Sequence, residues 1–339
     1  MPCSASRAEA VPQASPEGSL QRLQRLRRLT QGSFFALFLL APSLNLLRFD
    51  LHEAQLWVLG MRWTLGIDAL ARGEVSSTAA SLQLVLRGIL PPLAVAAAVL
   101  AVAWRYGRLY CGWLCPHFSL VETLNDLLHR ACGRLSLWDR TPTLRDSRQP
   151  DRRWWPLFLV SCAFFGGLWA VTLLTYLLPP AEIWGGLWHD TLSPNQARFL
   201  AVAATAFTAE LLLARHLFCR FGCAVGFFQS LAWMANPRAM VMAFDRSRAV
   251  ECRRCATPCA PQGDACEAAC PMRLQPRRIK RLMFSCVQCG RCLRECEISH
   301  AVATPRRGAS PSLQWVVGEQ ALRETLQQRR SAAPPPGDP

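Results

Sequence analysis

Nine of the sixteen cysteines in this 339-residue chain lie between residues 252 and 296. Eight of the nine form two groups, Cys252-x2-Cys255-x10-Cys266-x3-Cys270-Pro271 and Cys286-x2-Cys289-x2-Cys292-x3-Cys296. A [4Fe–4S] cluster needs one thiolate per iron. Three thiolates spaced by two residues wrap a tight loop around three irons, and the fourth comes from elsewhere in the chain. The second group is such a run. The first keeps both ends of it, but its middle holds an insertion that carries the ninth cysteine, Cys259. Tetrahedral zinc would use the C-x2-C pairs and has no need of a third evenly spaced thiol. A disulfide framework belongs to an oxidising compartment.

In two-cluster ferredoxins the fourth cysteine of each run ligates the other cluster. That crossing assigns Cys252, Cys255, Cys266 and Cys296 to one [4Fe–4S] cluster, and Cys286, Cys289, Cys292 and Cys270 to a second. Cys259 is the alternative third ligand. Cys266 is preferred because Cys266-x3-Cys270-Pro271 keeps the ferredoxin ending. The chemistry expected of two such clusters is electron carriage.

A second thiol pattern occurs twice. Gly107-Arg108-Leu109-Tyr110-Cys111-Gly112-Trp113-Leu114-Cys115-Pro116 and Arg215-His216-Leu217-Phe218-Cys219-Arg220-Phe221-Gly222-Cys223-Ala224 each carry C-x3-C. On a helix, residues four apart share a face. Two such pairs that meet form a four-thiolate site suited to Cu(I), zinc or an iron–sulfur centre, or they cycle between dithiol and disulfide. The bland alternative is four small buried residues. His117 and His216 lie beside the pairs. Glu210, some two to three turns before Cys219, is an ionisable group in an apolar stretch and so a candidate for a proton or metal role.

These motifs must be positioned by a membrane scaffold. The chain is 51% hydrophobic and 18% charged, and its apolar residues come in blocks: Phe34–Leu47, Gly88–Trp104, Trp154–Leu178 and Phe199–Ala214. The intervening charge alternates. Residues 105–153 hold nine Arg against five acids, residues 179–196 only Glu182 and Asp190, and residues 215–339 nineteen basic against nine acidic residues. Basic segments mark the cytoplasmic side. The expected fold class is therefore an α-helical membrane protein with four transmembrane helices, followed by a small α+β ferredoxin-like module, with both termini cytoplasmic. The divisions are a cytoplasmic arm over 1–30, a first transmembrane hairpin over 31–104 and a cytoplasmic loop over 105–153. A second hairpin over 154–224, the two-cluster module over 245–300 and a partly disordered tail over 301–339 follow. Ser119–Arg130 reads as an amphipathic helix lying on the membrane, and Gly166-Gly167 as a site of close helix packing. The net charge of +15 follows from topology, and no basic helix interleaved with aromatics points to nucleic acid.

Taken together, the ordered motifs resemble the FixG/RdxA/CcoG accessory proteins of cytochrome c oxidase assembly. The matching pieces are Arg27-Arg28-Leu29 with Phe34–Leu40, Gly107-Arg108-x2-Cys111-Gly112-x2-Cys115-Pro116, and Arg215-x3-Cys219-x3-Cys223. Phe228-Gln229-Ser230, Ala239–Asp245 and the paired cluster motifs complete the set. The resemblance implies a polyferredoxin of the bacterial inner membrane that takes electrons from a cytoplasmic donor and reduces copper for a haem–copper oxidase, with oxidase assembly factors as partners. Ala224 replaces the proline expected after Cys223, and the insertion with Cys259 departs from the pattern. NapH-like and NosR-like membrane ferredoxins share the same motifs, and the function they imply is a quinol-linked carrier of a respiratory reductase. A third expectation is a non-redox assembly scaffold or copper chaperone.

Overall fold

A computed structural model describes residues 19–139, 150–247, 249, 265–303 and 311–332. The arm before residue 19 lies outside them, as do Cys252, Cys255 and Cys259. The chain opens with helix α1 (Ser19–Leu40) and an antiparallel sheet of β1 (Leu47–Asp50), β2 (Gln55–Val58) and β3 (Met61–Trp63). Short helices α2 (Ile67–Ala71) and α3 (Ser77–Gln83) follow, and a π-helical segment, Leu84–Ile89, leads into α4 (Leu90–Tyr106). Next come α5 (Leu109–Trp113), α6 (Pro116–Cys132), α7 (Trp154–Thr175), α8 (Pro180–His189), α9 (Pro194–Ala209), α10 (Arg215–Leu217) and α11 (Ala224–Ala235). The C-terminal part holds β4 (Val241–Phe244), α12 (Ala265–Ala268), α13 (Arg291–Ala303), β5 (Leu313–Val316) and α14 (Glu319–Ala332).

Among the described residues three helical runs, not four, are long and apolar enough to cross a bilayer: Ser77–Tyr106, Trp154–Thr175 and Pro194–Ala235. They contain the last three apolar blocks, save that the block Trp154–Leu178 leaves its helix at Thr175. No residue in the most apolar window of Ser77–Tyr106 is buried by the rest of the chain. Such a surface in water would be a large exposed apolar patch, and lipid is its natural cover.

The first block, Phe34–Leu47, differs from expectation. Its helix starts at Ser19 and stops at Leu40, and Leu47 already belongs to β1. Proline has no N–H, so Pro42 cannot complete the helical bond to the carbonyl of Phe38. The Tyr176 hydroxyl donates to that carbonyl instead, at 2.9 Å. The apolar end of α1 lies along α7, with Phe35 and Phe38 against Trp169 and Phe38 against Tyr176. The other half buries Gln24, Arg27 and Gln31 against protein. This explains why a helix beside a spanning helix lacks a spanning helix's composition.

Helix α6 is amphipathic as expected, but its apolar face does not lie on the membrane. Leu120, Leu124 and Leu128 pack against Phe158, Cys162 and Leu211. Gly166 of α7 lets Thr208 of α9 approach, whereas Gly167 faces open space. Among the described residues of 265–303 the elements are helices and turns, and the nearby strands β4 and β5 pair with each other, Val241 opposite Val316.

Three distant segments meet on one carboxylate. Arg27 of α1 forms a two-pronged pair with Glu122 of α6 at 2.9 and 2.7 Å. Arg291 of α13 reaches the same carboxylate at 2.5 Å and Asp126 at 2.9 Å. Burial alone would raise the Glu122 pKa, but Arg291 and Arg27 outweigh it and hold the carboxyl below its ordinary value of 4.5. Removing one partner of a buried ion pair leaves charge uncompensated, at about 3–5 kcal/mol. Glu122→Ala is therefore expected to destabilise the protein on that scale in thermal or denaturant unfolding. Because the folded pKa is depressed, the wild type holds this contribution above pH 4.5 and loses it as pH falls through the folded value. The acid branch of its stability profile is predicted to flatten in Glu122→Gln.

Candidate iron–sulfur and thiolate centres

The tail thiols come together where the described chain includes them. Cys270, Cys286, Cys289 and Cys292 line one small cavity with Met242, Met272 and Met283. This is the set expected to hold the second cluster. Cys266 lies within electrostatic reach of Cys292, and Cys296 is buried on α13. Two other expected ligands, Cys252 and Cys255, and the alternative Cys259 lie outside the described residues. Burial is the first cause that pushes Cys286, Cys289 and Cys292 up from the ordinary thiol value, and the neighbouring cysteines add to it at Cys286 and Cys292. Leu274 N–H donates to the Cys270 sulfur at 3.4 Å, the kind of bond that tunes a cluster ligand.

The two C-x3-C pairs also converge. Cys115 feels the charge of Cys111 and Cys223, and Cys111 that of Cys223. Cys219 lies within reach of both Cys115 and Cys111. Cys111 and Cys219 are buried, while Cys115 and Cys223 are half-buried. Burial raises Cys111, against the pull of Arg108, and raises Cys115 to about 11. Among the described residues no three His, Cys, Asp or Glu groups close tightly enough to hold a single ion. A cube puts a separate iron before each thiolate, so its ligands stand further apart than the ~2.3 Å shell around one zinc. Both thiol sets fit iron–sulfur chemistry in their donor type.

Local backbone irregularity aims these thiols. Two π-helical segments, Glu210–Ala214 and Phe218–Gly222, flank α10, and Arg215 sits at φ 21° between them. Single π turns inside helices are frequent at functional sites. Here one carries Glu210 and the other Cys219. The Arg215 guanidinium is buried and donates to Asn125 Oδ1 and to the carbonyls of Leu211 and Leu212, which fixes the break. Arg108 ties the two pairs together: it donates to the Cys219 carbonyl at 2.7 Å, and its positive charge lies within reach of Cys111. Cys111 Sγ in turn lies 3.7 Å from Gln229 Oε1. Gln229 and Arg108 entered the sequence reading only inside longer motifs. The signal that marks them is an uncharged or cationic polar residue in an otherwise apolar stretch. Glu210 stands 3.4 Å from His117 Nε2 and within reach of Cys219. His216 is buried nearby.

The two thiol sets share one core. Between them, Gly112 packs directly on the Val287 carbonyl oxygen, where a methyl group would collide. Trp113 Nε1 donates to the Gln288 carbonyl at 3.1 Å, and Ser230 Oγ to the Phe284 carbonyl at 2.8 Å. Gly112 follows Cys111, and Val287 and Gln288 separate Cys286 from Cys289. Chain neighbours of one thiol set thus touch chain neighbours of the other.

Residues 89–134 match the family described as "4Fe-4S binding domain". That segment runs from α4 through α6 and includes Cys111 and Cys115, not the tail thiols. No curated protein and no solved structure matches the chain. The family match, the thiol sets and the apolar helices define a membrane-associated iron–sulfur protein of the electron-carrier class.

Gly112→Val is expected to push the tail loop away from the membrane thiols at a cost of about 1–3 kcal/mol, the scale of overpacking a fitted site. Hydrogen exchange at residues 286–290 should accelerate in the variant, and unchanged protection would contradict the contact.

Proposed function

We propose that this chain is an electron-transfer protein of the bacterial inner membrane, with its tail module cytoplasmic, that reduces copper in support of haem–copper oxidase assembly. Electrons enter from a cytoplasmic donor. They pass through two [4Fe–4S] clusters, one held by Cys252, Cys255, Cys266 and Cys296 and the other by Cys270, Cys286, Cys289 and Cys292. They leave at the quartet of Cys111, Cys115, Cys219 and Cys223. The observation that supports this reading is the Gly112–Val287 contact, which joins the chain beside Cys111 to the chain between Cys286 and Cys289.

When bound, the clusters supply one-electron storage. The chain's own residues do the rest. The tail thiols and the Leu274 N–H hold and tune the donor side. At the acceptor side one electron converts a Cu(II) ion to Cu(I), and soft thiolate ligands favour the product. Arg108 places its positive charge beside thiolates that would otherwise stand unscreened.

The family match at residues 89–134 favours a second reading, in which the quartet itself holds an iron–sulfur cluster and the electron partner is a membrane quinol. Anaerobic purification with iron, acid-labile sulfide and copper analysis, followed by EPR, separates the two. In the copper reading Cys219→Ser keeps the tail-cluster signals and iron content but loses copper reduction. In the second reading the same change removes about one cube's share of iron and sulfide and quinol-dependent reduction with it. A wild-type protein that stays colourless and free of acid-labile sulfide after reconstitution would sink both.

A further inference from the structure

A cationic hollow separate from the thiol centres lies between α1, α6 and α13. One part is lined by Gln24, Arg28, Asp126, Arg130, Arg291 and Arg294, among others. An adjoining part, which shares Arg28, Asp126, Arg130 and Arg291, continues between α1 and α6 past Gly32, where the backbone faces open space. The charges on its wall do not cancel. Glu122 is held between Arg27 and Arg291, and Asp126 is held by Arg291. Glu295 and His129, also on the wall, are already engaged. Arg28, Arg130 and Arg294 have no carboxylate within ion-pair distance among the described residues, and Arg294 Nε is buried without a hydrogen-bond partner.

Planar guanidinium groups that converge on a recess match the oxygens of a phosphate better than any other common anion. The level of the recess also matters. Arg130 lies over the ring of Trp154, 5.0 Å from its centroid, and Trp154 is the first residue of a membrane-crossing helix. Tryptophan at such a position marks the headgroup layer, and basic pockets beside crossing helices on the cytoplasmic side suit anionic headgroups.

We propose that this hollow is a binding site for a phosphate-bearing anion, seated by Arg28, Arg130 and Arg294. It needs no metal and no electron transfer, so it stands or falls apart from the function proposed above. The test uses the full-length protein in nanodiscs of phosphatidylcholine with and without phosphatidylglycerol, exchanged into mild detergent and examined by native mass spectrometry. Arg28 and Arg130 are exposed at the mouth, so Arg28→Gln with Arg130→Gln leaves the fold intact, and unchanged thermal unfolding confirms that. The wild type should retain phosphatidylglycerol in preference to phosphatidylcholine, and the double variant should lose that retention by roughly 30-fold, as two arginine–headgroup contacts would carry. Inorganic phosphate or glycerol phosphate that protects the wild type but not the variant against thermal unfolding would support the site with a soluble occupant. Equal retention of both lipids by both proteins, with no protection by either soluble phosphate, would overturn the proposal.

Discussion

The carboxylate of Glu122 is a point at which three parts of the chain that are distant in sequence are joined. Arg27 brings the N-terminal helix to it and Arg291 brings the cysteine-rich tail, while Glu122 itself belongs to the helix after the first C-x3-C pair. Buried ion pairs of this kind contribute little net stability, because desolvation consumes most of the Coulombic gain. Their effect is directional. Apolar packing would allow the tail to slide on α6, whereas two guanidinium groups on one carboxylate permit a single register.

That register decides the chemistry. With Arg291 fixed, the preceding loop brings Val287 onto Gly112, and the Cys289 carbonyl accepts from Gln24 Nε2 at 2.8 Å. Lys280, buried, donates to the carbonyls of Trp233 and Asn236 and pins the other end of the tail segment to the end of α11. The tail thiols are thus held over the membrane thiols from both sides. Neither contact depends on a metal, although the thiols they align are of use only to one. Burial raises the tail thiols, and metal ligands must be deprotonated, so cluster binding there would be coupled to proton release and to folding.

Much of the site could be read from spacing. The run Cys286–Cys292 is local in sequence, and the structure brings it together with Cys270 around one cavity. The C-x3-C pairs gave less: the i, i+4 interval implied a shared helical face, but the helix ends inside each pair, with Cys115 and Cys223 in extended backbone at the starts of α6 and α11, and that the pairs approach each other is a tertiary fact, accompanied by Arg108 reaching the Cys219 carbonyl. Other features had no local signal. Strands β4 and β5 are four residues each, and they pair across the whole cysteine-rich segment, too far apart for alternation to link them. Within the expected tail, the structure forms β5 and then α14. The block Phe34–Leu47 was apolar enough to suggest a span, yet Pro42 ends its helix. The polar residues before it, which lowered its hydropathy, are the ones that bind the tail. Helix α6 showed its amphipathic stripe plainly. What covers the stripe is protein rather than lipid, and hydropathy does not distinguish those two apolar surroundings.

The quartet is unequal in its exposure, and this gives it a direction. Cys111 and Cys219 are 6% and 8% exposed, and Cys111 is the member bonded to Gly112, on which the tail loop sits. Cys115 and Cys223 are the half-buried members, and each begins a helix, α6 and α11, by a turn in which backbone N–H groups face the sulfur. An ion arriving from outside meets those two thiols first. In the proposed function the electron reaches the quartet from its closed side and the cargo from its open side. A carrier gains from that separation. The donor loop need not lift to admit the acceptor, and the contact between Gly112 and Val287 stays closed throughout.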